Sequence, residues 1–343
     1  MTRPHYINGR ILLREPGGVH RSASEIAARM PAATVLSPRS ARSAWSGRLW
    51  EQTTLARQSS DGVLLNMAHS GPAKHPRQVN VIQDLIALSH PESVHPAYAA
   101  LMRRQLPQQV AHASALVTIS RTVADEIVRR FSLSADRIEI IPPGISDVFV
   151  PAPGNESATR LGLDPGRPIV AALLDPTPRK NSRRVALTLR ILRHRRPEVQ
   201  VVVAGRRRQP AFGRAGRSDA EIPRDSFVDL GAASDEQLAL MYQAADVFLS
   251  LTEAEGFGLP AVEALRCGAA VVTTPVPSIA EWSPASALII QDSTEAIDAV
   301  EDLLDDAPRR ENMVAAAAAP LDGLRWAQTA ENLGALLTSV GEL

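Results

Sequence analysis

Short apolar runs recur along the chain between stretches of helical periodicity. Runs near residues 7–12, 63–65, 79–82, 116–119 and 138–141 predict strands in the first part, with helices separating most of them. Further runs near 169–174, 199–204, 227–230, 247–251, 270–273 and 287–290 predict strands in the second part. Helix punctuation is clearest late in the chain. Ser234-Asp235-Glu236-Gln237 has the form of a capping box, and Leu238, Leu240, Met241, Ala244 and Ala245 carry the apolar face that follows. Pro260 suits a first helical turn and Gly268 a helix end. Strand, loop, helix, strand in this order is the grammar of a doubly wound α/β sheet.

Between the two series, Pro142, Pro143, Gly144, Pro151, Pro153 and Gly154 punctuate a stretch with no periodicity, as a linker does. At 343 residues the chain exceeds what one core usually serves, so two domains meeting near residue 150 are expected. Formal net charge is zero, which gives no reason to propose nucleic acid as a partner. The single cysteine, Cys267, cannot form an internal disulfide. With no signal-peptide pattern and no long apolar span, a soluble cytoplasmic protein is expected.

Candidate chemistry concentrates at residues 255–263, Glu-Gly-Phe-Gly-Leu-Pro-Ala-Val-Glu. Gly256 and Gly258 let the backbone approach a ligand, and the helix that opens at Leu259 and Pro260 points free N–H groups forward. Such a helix start attracts phosphate. Glu255 before the helix and Glu263 one turn inside it could face two ends of an elongated ligand, each accepting hydroxyls. Spacing alone also fits two glutamates decorating a helix start. Arg179 and Lys180 follow a strand and two prolines, which places two cations near the carboxyl edge of the sheet, where they could neutralise a diphosphate. Lys74 and Lys180 are the only lysines.

Two other groups of residues invite weighing. Arg183, Arg184, Arg190, Arg193, Arg195 and Arg196 read either as a solvated helix face or as a surface for anionic lipid, which would give peripheral contact with the inner face of the membrane. Arg206, Arg207, Arg208, Arg214 and Arg217 read as loop. His69, His75, His90 and His95 match no zinc spacing, so no metal is expected.

The 255–263 block resembles the Glu-x7-Glu signature of the retaining family-four glycosyltransferases, and the rest of the chain is similar to their bacterial polysaccharide branch in order. Asn8-Gly9-Arg10, Gly17-Gly18, Trp50-Glu51-Gln52, Leu65-Asn66, Ser70-Gly71-Pro72, Pro142-Pro143-Gly144 and Pro178-Arg179-Lys180-Asn181 carry that resemblance, with Trp326 opening what looks like a closing helix. It implies the α/β GT-B fold, two Rossmann-like domains facing each other across a cleft: 1–150 on the acceptor side, 151–325 binding the nucleotide sugar, and 326–343 crossing back. It also implies a metal-independent, cofactor-free, front-face transfer with retention, in which the departing diphosphate can take the acceptor's proton. Lys180 and Arg179 would then hold the phosphates with the amides near Gly258 and Leu259, and Gly256 and Phe257 would belong to the donor-binding turn. Glu255 would grip sugar hydroxyls, Glu263 the ribose diol, and Gly18 would let its loop approach the ligand. Gln83 and Asp84 would lie on the acceptor side. Members of this branch imply a GDP-mannose or deoxyhexose donor and a saccharide or lipid-linked acceptor.

Two departures stand out. Gln83-Asp84-Leu85 replaces the family's His-Asp-Leu, and Leu173-Leu174-Asp175 replaces a Gly followed by Arg or Thr. They leave open a second reading, a nucleotide-sugar-binding homologue that has lost transfer and acts as a partner or regulatory subunit. Gly17-Gly18 completes no Gly-x-Gly-x-x-Gly fingerprint, which argues against a dinucleotide-dependent oxidoreductase.

Overall fold

Six strands from the first part of the chain pair into one sheet: β1 (His5–Asn8), β2 (Thr34–Leu36), β3 (Val63–Asn66), β4 (Gln78–Ile82), β5 (Ala115–Thr118) and β6 (Ile138–Ile140). Their order is β2-β1-β3-β4-β5-β6 and every pairing is parallel. The computed structural model describes residues 3–13, 17–39, 44–205, 227–292 and 294–342, so the arginines at 206, 207, 208, 214 and 217 lie outside the described residues. A second sheet uses β7 (Ile169–Leu173), β8 (Gln200–Ala204), β9 (Val228–Asp229), β10 (Val247–Ser250), β11 (Ala270–Thr273) and β12 (Ala287–Ile289). It runs β12-β11-β10-β7-β8-β9, again wholly parallel.

The chain divides into two compact units, Met1–Ser89 with Pro96–Gly144 and Leu324–Leu343, and His90–His95 with Ile145–Gly323. Each has its own core. In the first, Ile7, Val63, Leu65, Val79 and Val117 from the strands pack with Ile26 and with Trp326, Leu333, Leu337 and Val340 of the closing helix, Trp326–Glu342. In the second, Val170, Val201, Val247, Leu249 and Val272 pack with Leu189, Leu192, Val300 and Leu303 from helices Ser182–Arg195 and Ala296–Asp305. Strands this buried read as continuous apolar runs, because helices cover both faces of a parallel sheet.

The first predicted strand differs. It begins at His5, ends at Asn8 and gives way to a 3-10 turn, Gly9–Leu13. Asn8 Oδ1 accepts from Arg10 N at 3.2 Å, which turns the chain, and a Cβ on Gly9 would lie 2.2 Å from Ser37 Oγ. Strand β2 was not predicted. It has only three residues, none buried, so it carries no apolar signature.

In both sheets the chain leaves its first strand in one direction and later returns to the other side. The reversal falls between β1 and β3 in the first unit and between β7 and β10 in the second. Crevices beyond the carboxyl ends of such strand pairs are where open α/β sheets bind ligands.

Candidate functional site

Beyond β7 the chain makes a tight turn. Asp175 Oδ1 accepts from Thr177 N at 2.8 Å, and Ser182 Oγ accepts from Asp175 N at 2.7 Å. A 3-10 turn, Pro178–Lys180, then ends in left-handed Asn181 (φ 54°) before helix Ser182–Arg195. Beyond β10, Glu253 N donates to Arg179 O at 2.7 Å, so the two loops at the reversal are joined through the backbone.

Side chains complete the junction. Arg179 Nη1 donates to Ala254 O at 2.7 Å and to Glu255 Oε2 at 3.0 Å. Lys180 Nζ pairs with the other carboxylate oxygen of Glu255. Thr252 Oγ1 donates to that same oxygen at 3.3 Å. Burial pushes the Glu255 carboxyl up, but the charges of Lys180 and Arg179 and their hydrogen bonds outweigh it and hold the group below its usual range. Two cations against one carboxylate leave the junction positive.

The glycine-bearing turn follows directly. Gly258 has φ 98°, and a Cβ there would meet Val276 Cβ and Ser278 Oγ at 3.1 Å, so only glycine fits without strain. Ser278 N donates to Phe257 O at 2.8 Å and Ser278 Oγ to Gly258 O at 3.1 Å, pinning the turn from behind. Phe257 is a core group, 3 % exposed, and Gly256 is buried, so neither offers a side chain at the surface. Helix Leu259–Cys267 starts with Pro260 in its first turn and no side-chain cap, and Gly268 ends it in the left-handed region. Among the described residues, nothing accepts from the amides of Gly258 and Leu259. Glu263 lies one turn inside this helix, 2 % exposed. The structure therefore brings Arg179, Lys180 and Glu255 into direct contact and sets the Gly258 turn three residues beyond Glu255.

One neighbour came unannounced: the Pro91–Ser93 turn, far away in sequence, packs against Pro178–Lys180.

At the reversal of the first unit, several of the quoted segments prove to be one buried network. Asn8 Nδ2 donates to Glu51 Oε1 and to Asn66 Oδ1, both at 3.0 Å. Arg10 Nε lies 3.1 Å from Glu51 Oε1, and Arg10 Nη2 donates to Ser70 Oγ at 3.2 Å. Ser70 Oγ in turn donates to Glu51 at 2.8 Å. Gln52 closes the next turn, donating to Gly71 O at 3.0 Å and accepting from Ala73 N at 2.7 Å. Gly71 cannot carry a side chain, since a Cβ would lie 2.5 Å from the Asn66 amide. Gly18 opens helix Gly18–Arg29, and a Cβ there would meet nothing within 4 Å. Packing does not require that glycine.

Gln83 and Asp84 hold the turn after β4. Gln83 Nε2 donates to Met67 O at 3.2 Å, and Asp84 Oδ1 accepts from Ile86 N at 3.0 Å. An imidazole reaches this turn all the same, from His69, whose Nε2 accepts from Gln83 N at 3.0 Å and Asp84 N at 3.3 Å. Two of the other histidines are engaged elsewhere: His75 bonds Ser59 and Arg77 N, and His90 pairs with Glu92. Among the described residues no group of three His, Cys, Asp or Glu is placed to hold a metal ion.

The arginine run is partly spent. Arg195 donates to Asp298 and Glu301 at 3.0 Å, and Arg196 forms a two-bond pair with Asp305. Arg193 donates to Val199 O at 2.7 Å. Arg183, Arg184 and Arg190 are exposed, beside exposed Leu187. Among the described residues no helix is long and apolar enough to cross a membrane.

Two wholly parallel α/β units in one chain, each reversing beside its first strand, are the architecture of the GT-B glycosyltransferases. Sucrose-phosphate synthase from Thermosynechococcus elongatus superposes with a TM-score of 0.75 at 16 % identity, covering 97 % of this chain and 98 % of that one. HepE from Anabaena, solved in complex with UDP-glucose, gives 0.74 at 14 % identity over 99 % and 100 %. In sequence, residues 155–319 match the family Glycosyl transferases group 1. D-inositol 3-phosphate glycosyltransferase from Nocardia farcinica is 30 % identical over 264 residues, 72 % of this chain. The match spans about half, 56 %, of that relative's length.

Proposed function

We propose that the chain transfers a glycosyl group from a nucleotide-diphosphate sugar to a hydroxylated acceptor. The observation that carries this reading is the positive junction of Arg179 and Lys180 on Glu255, beside the open amides of Gly258 and Leu259 at the reversal of the second sheet. A diphosphate suits both features, because charge-assisted bonds and a helix N-terminus favour the same ligand. On arrival it would take over the cations and release the Glu255 oxygens for sugar hydroxyls, while Glu263 binds the ribose. Charge on the leaving diphosphate is then met by side chains and amides, with no metal. Transfer with retention by the front-face route fits a site where positioning and charge stabilisation do the work.

The donor sugar is a hexose. The HepE complex supports a UDP-sugar as readily as the GDP-mannose or deoxyhexose donor of the polysaccharide branch. On the acceptor side, the name of the Nocardia relative supports a phosphorylated polyol beside the saccharide or lipid-linked acceptors of surface polysaccharide synthesis. The exposed Arg183, Arg184 and Arg190 would suit peripheral contact with an anionic membrane. The first unit would hold the acceptor. One observation favours the second reading, a binding homologue without transfer: the Gln83 amide is taken up by Met67 O.

Thermal-shift and transfer assays with UDP-, GDP-, dTDP- and ADP-sugars, against inositol phosphate and lipid-linked saccharide, test the proposal. Stabilisation by one nucleotide with product formed supports it; stabilisation without product selects the second reading, and no stabilisation by any of them overturns both.

A further inference from the structure

The geometry points to His69 as a hydrogen-bond donor, through Nδ1–H, to an oxygen of the acceptor bound at the reversal of the first sheet. This rests on the reading that the first unit holds the acceptor.

Three observations converge on it. His69 follows β3, one of the two strands that flank the reversal, and so lies on the edge where ligands bind. Its backbone adopts φ 54°, a left-handed conformation uncommon outside glycine, which the surroundings hold in place. The surroundings here are the flanking residues. Asn66 is fixed by Asn8 and Asn80, and Ser70 by Arg10 and Glu51, so the buried network grips the loop on both sides of the histidine.

The ring's protonation state follows from its partners. Two backbone N–H groups, of Gln83 and Asp84, point at Nε2, and an N–H can only donate. Nε2 must therefore carry a lone pair, which leaves the proton of the neutral ring on Nδ1. A ring held this way cannot turn over without abandoning both bonds. Nδ1 has no hydrogen-bond partner among the described residues, and His69 is only partly buried, so a fixed ring keeps one donor in reserve. Sugar hydroxyls and phosphate oxygens are the acceptors such a donor serves.

The test uses the full chain. In ¹⁵N-histidine spectra, His69 is expected as the Nδ1–H tautomer, with resonances that move on adding methyl α-D-glucopyranoside or inorganic phosphate. A response to the glucoside alone assigns the contact to a hydroxyl, and a response to phosphate alone to a phosphate ester. The Nε2–H tautomer, or no movement with either probe, overturns the inference. Kinetics give a second arm with whichever donor and acceptor prove active. His69→Gln places its carboxamide oxygen to accept from Gln83 and Asp84 but lacks the Nδ1–H, so kcat/KM for the acceptor should fall about tenfold or more at unchanged donor KM. His69→Asn keeps a donor near Nδ1 and tolerates the left-handed backbone, and should recover part of that loss. A His69→Gln enzyme with wild-type kinetics would assign the ring a purely structural role. If the wild-type chain transfers nothing, the functional reading fails and the spectra alone decide this one.

Discussion

Arg179 Nη1 lies 3.0 Å from Glu255 Oε2, and the same guanidinium nitrogen holds the Ala254 carbonyl at 2.7 Å. One residue thus ties the strand-end loop bearing the cations to the loop bearing the carboxylate. Lys180, bonded to the opposite oxygen of Glu255, has no backbone partner for its ammonium among the described residues and can move to a ligand more readily. Lys180→Ala should lower turnover about 10²-fold with little change in donor KM, as expected for a group that meets charge developing on the leaving diphosphate. Glu263→Ala should instead raise donor KM about tenfold, having lost hydrogen bonds made equally before and during reaction. Steady-state kinetics of the two variants separate the roles, and unchanged parameters in both would contradict them.

Acid should act on the same junction. The Glu255 carboxyl is held below its ordinary range when folded and returns to about 4.3 when unfolded. Its stabilisation is therefore complete above that ordinary value and is lost as pH falls through the depressed one. Glu255→Gln should be less stable than wild type at pH 7, and the gap in thermal midpoint should narrow on acidification towards pH 3. A gap constant across that range would show that the charge is not what stabilises the junction.

Buried charge in the first unit makes a larger stake. Glu51 is fully buried and Arg10 is 5 % exposed, so Arg10→Met would strand a carboxylate in the core at a cost of about 3–5 kcal/mol. Replacing Glu51 with Met as well should recover most of it. Chemical denaturation of both variants measures this, and equal losses in the two would refute it.

Gly258→Ala places a side chain at φ 98° against Val276 and Ser278. A stability loss of about 1–2 kcal/mol is expected from the backbone alone. Nucleotide affinity should fall with it, because the amides of Gly258 and Leu259 would be re-aimed. Calorimetry with the nucleotide that gives a thermal shift checks both; full affinity in a destabilised variant would separate the turn from the ligand.

Cys267 should be silent in the native chain. Burial, then the Glu263 charge, pushes its thiol up to about 12 against a smaller opposing effect of Arg266, so thiolate is scarce near neutrality. A disulfide reagent at pH 8 should label it only after unfolding. Rapid native labelling would mean that helix Leu259–Cys267 opens locally.

Buried strands were legible because each leaves an uninterrupted apolar run, and the capping box at Ser234 is present with both of its reciprocal bonds. The meeting of Arg179, Lys180 and Glu255 was legible for a related reason: these residues come from two short loops with distinctive composition. What pattern could not convey was partnership. Nothing in the spacing of Asn8, Arg10, Glu51, Asn66 and Ser70 announces that five polar side chains share one buried network, because each contact joins residues more than ten positions apart or turns on a sheet register. His69 was hidden by a different cause. Its importance lies in a left-handed backbone and in two amide donors from the next strand's loop, neither of which has a residue-type signature. Arg195 and Arg196 could be read two ways for the same reason, since their carboxylate partners sit about a hundred residues downstream on helix Ala296–Asp305.

Helix Trp326–Glu342 supplies Trp326, Leu333, Leu337 and Val340 to the same core as Ile7 and Val63. During synthesis, then, the second unit's long continuous stretch can collapse once it is made, whereas the earlier-made unit waits, its apolar surface unsealed, for this helix to follow. Removing the helix would leave the first unit's core open.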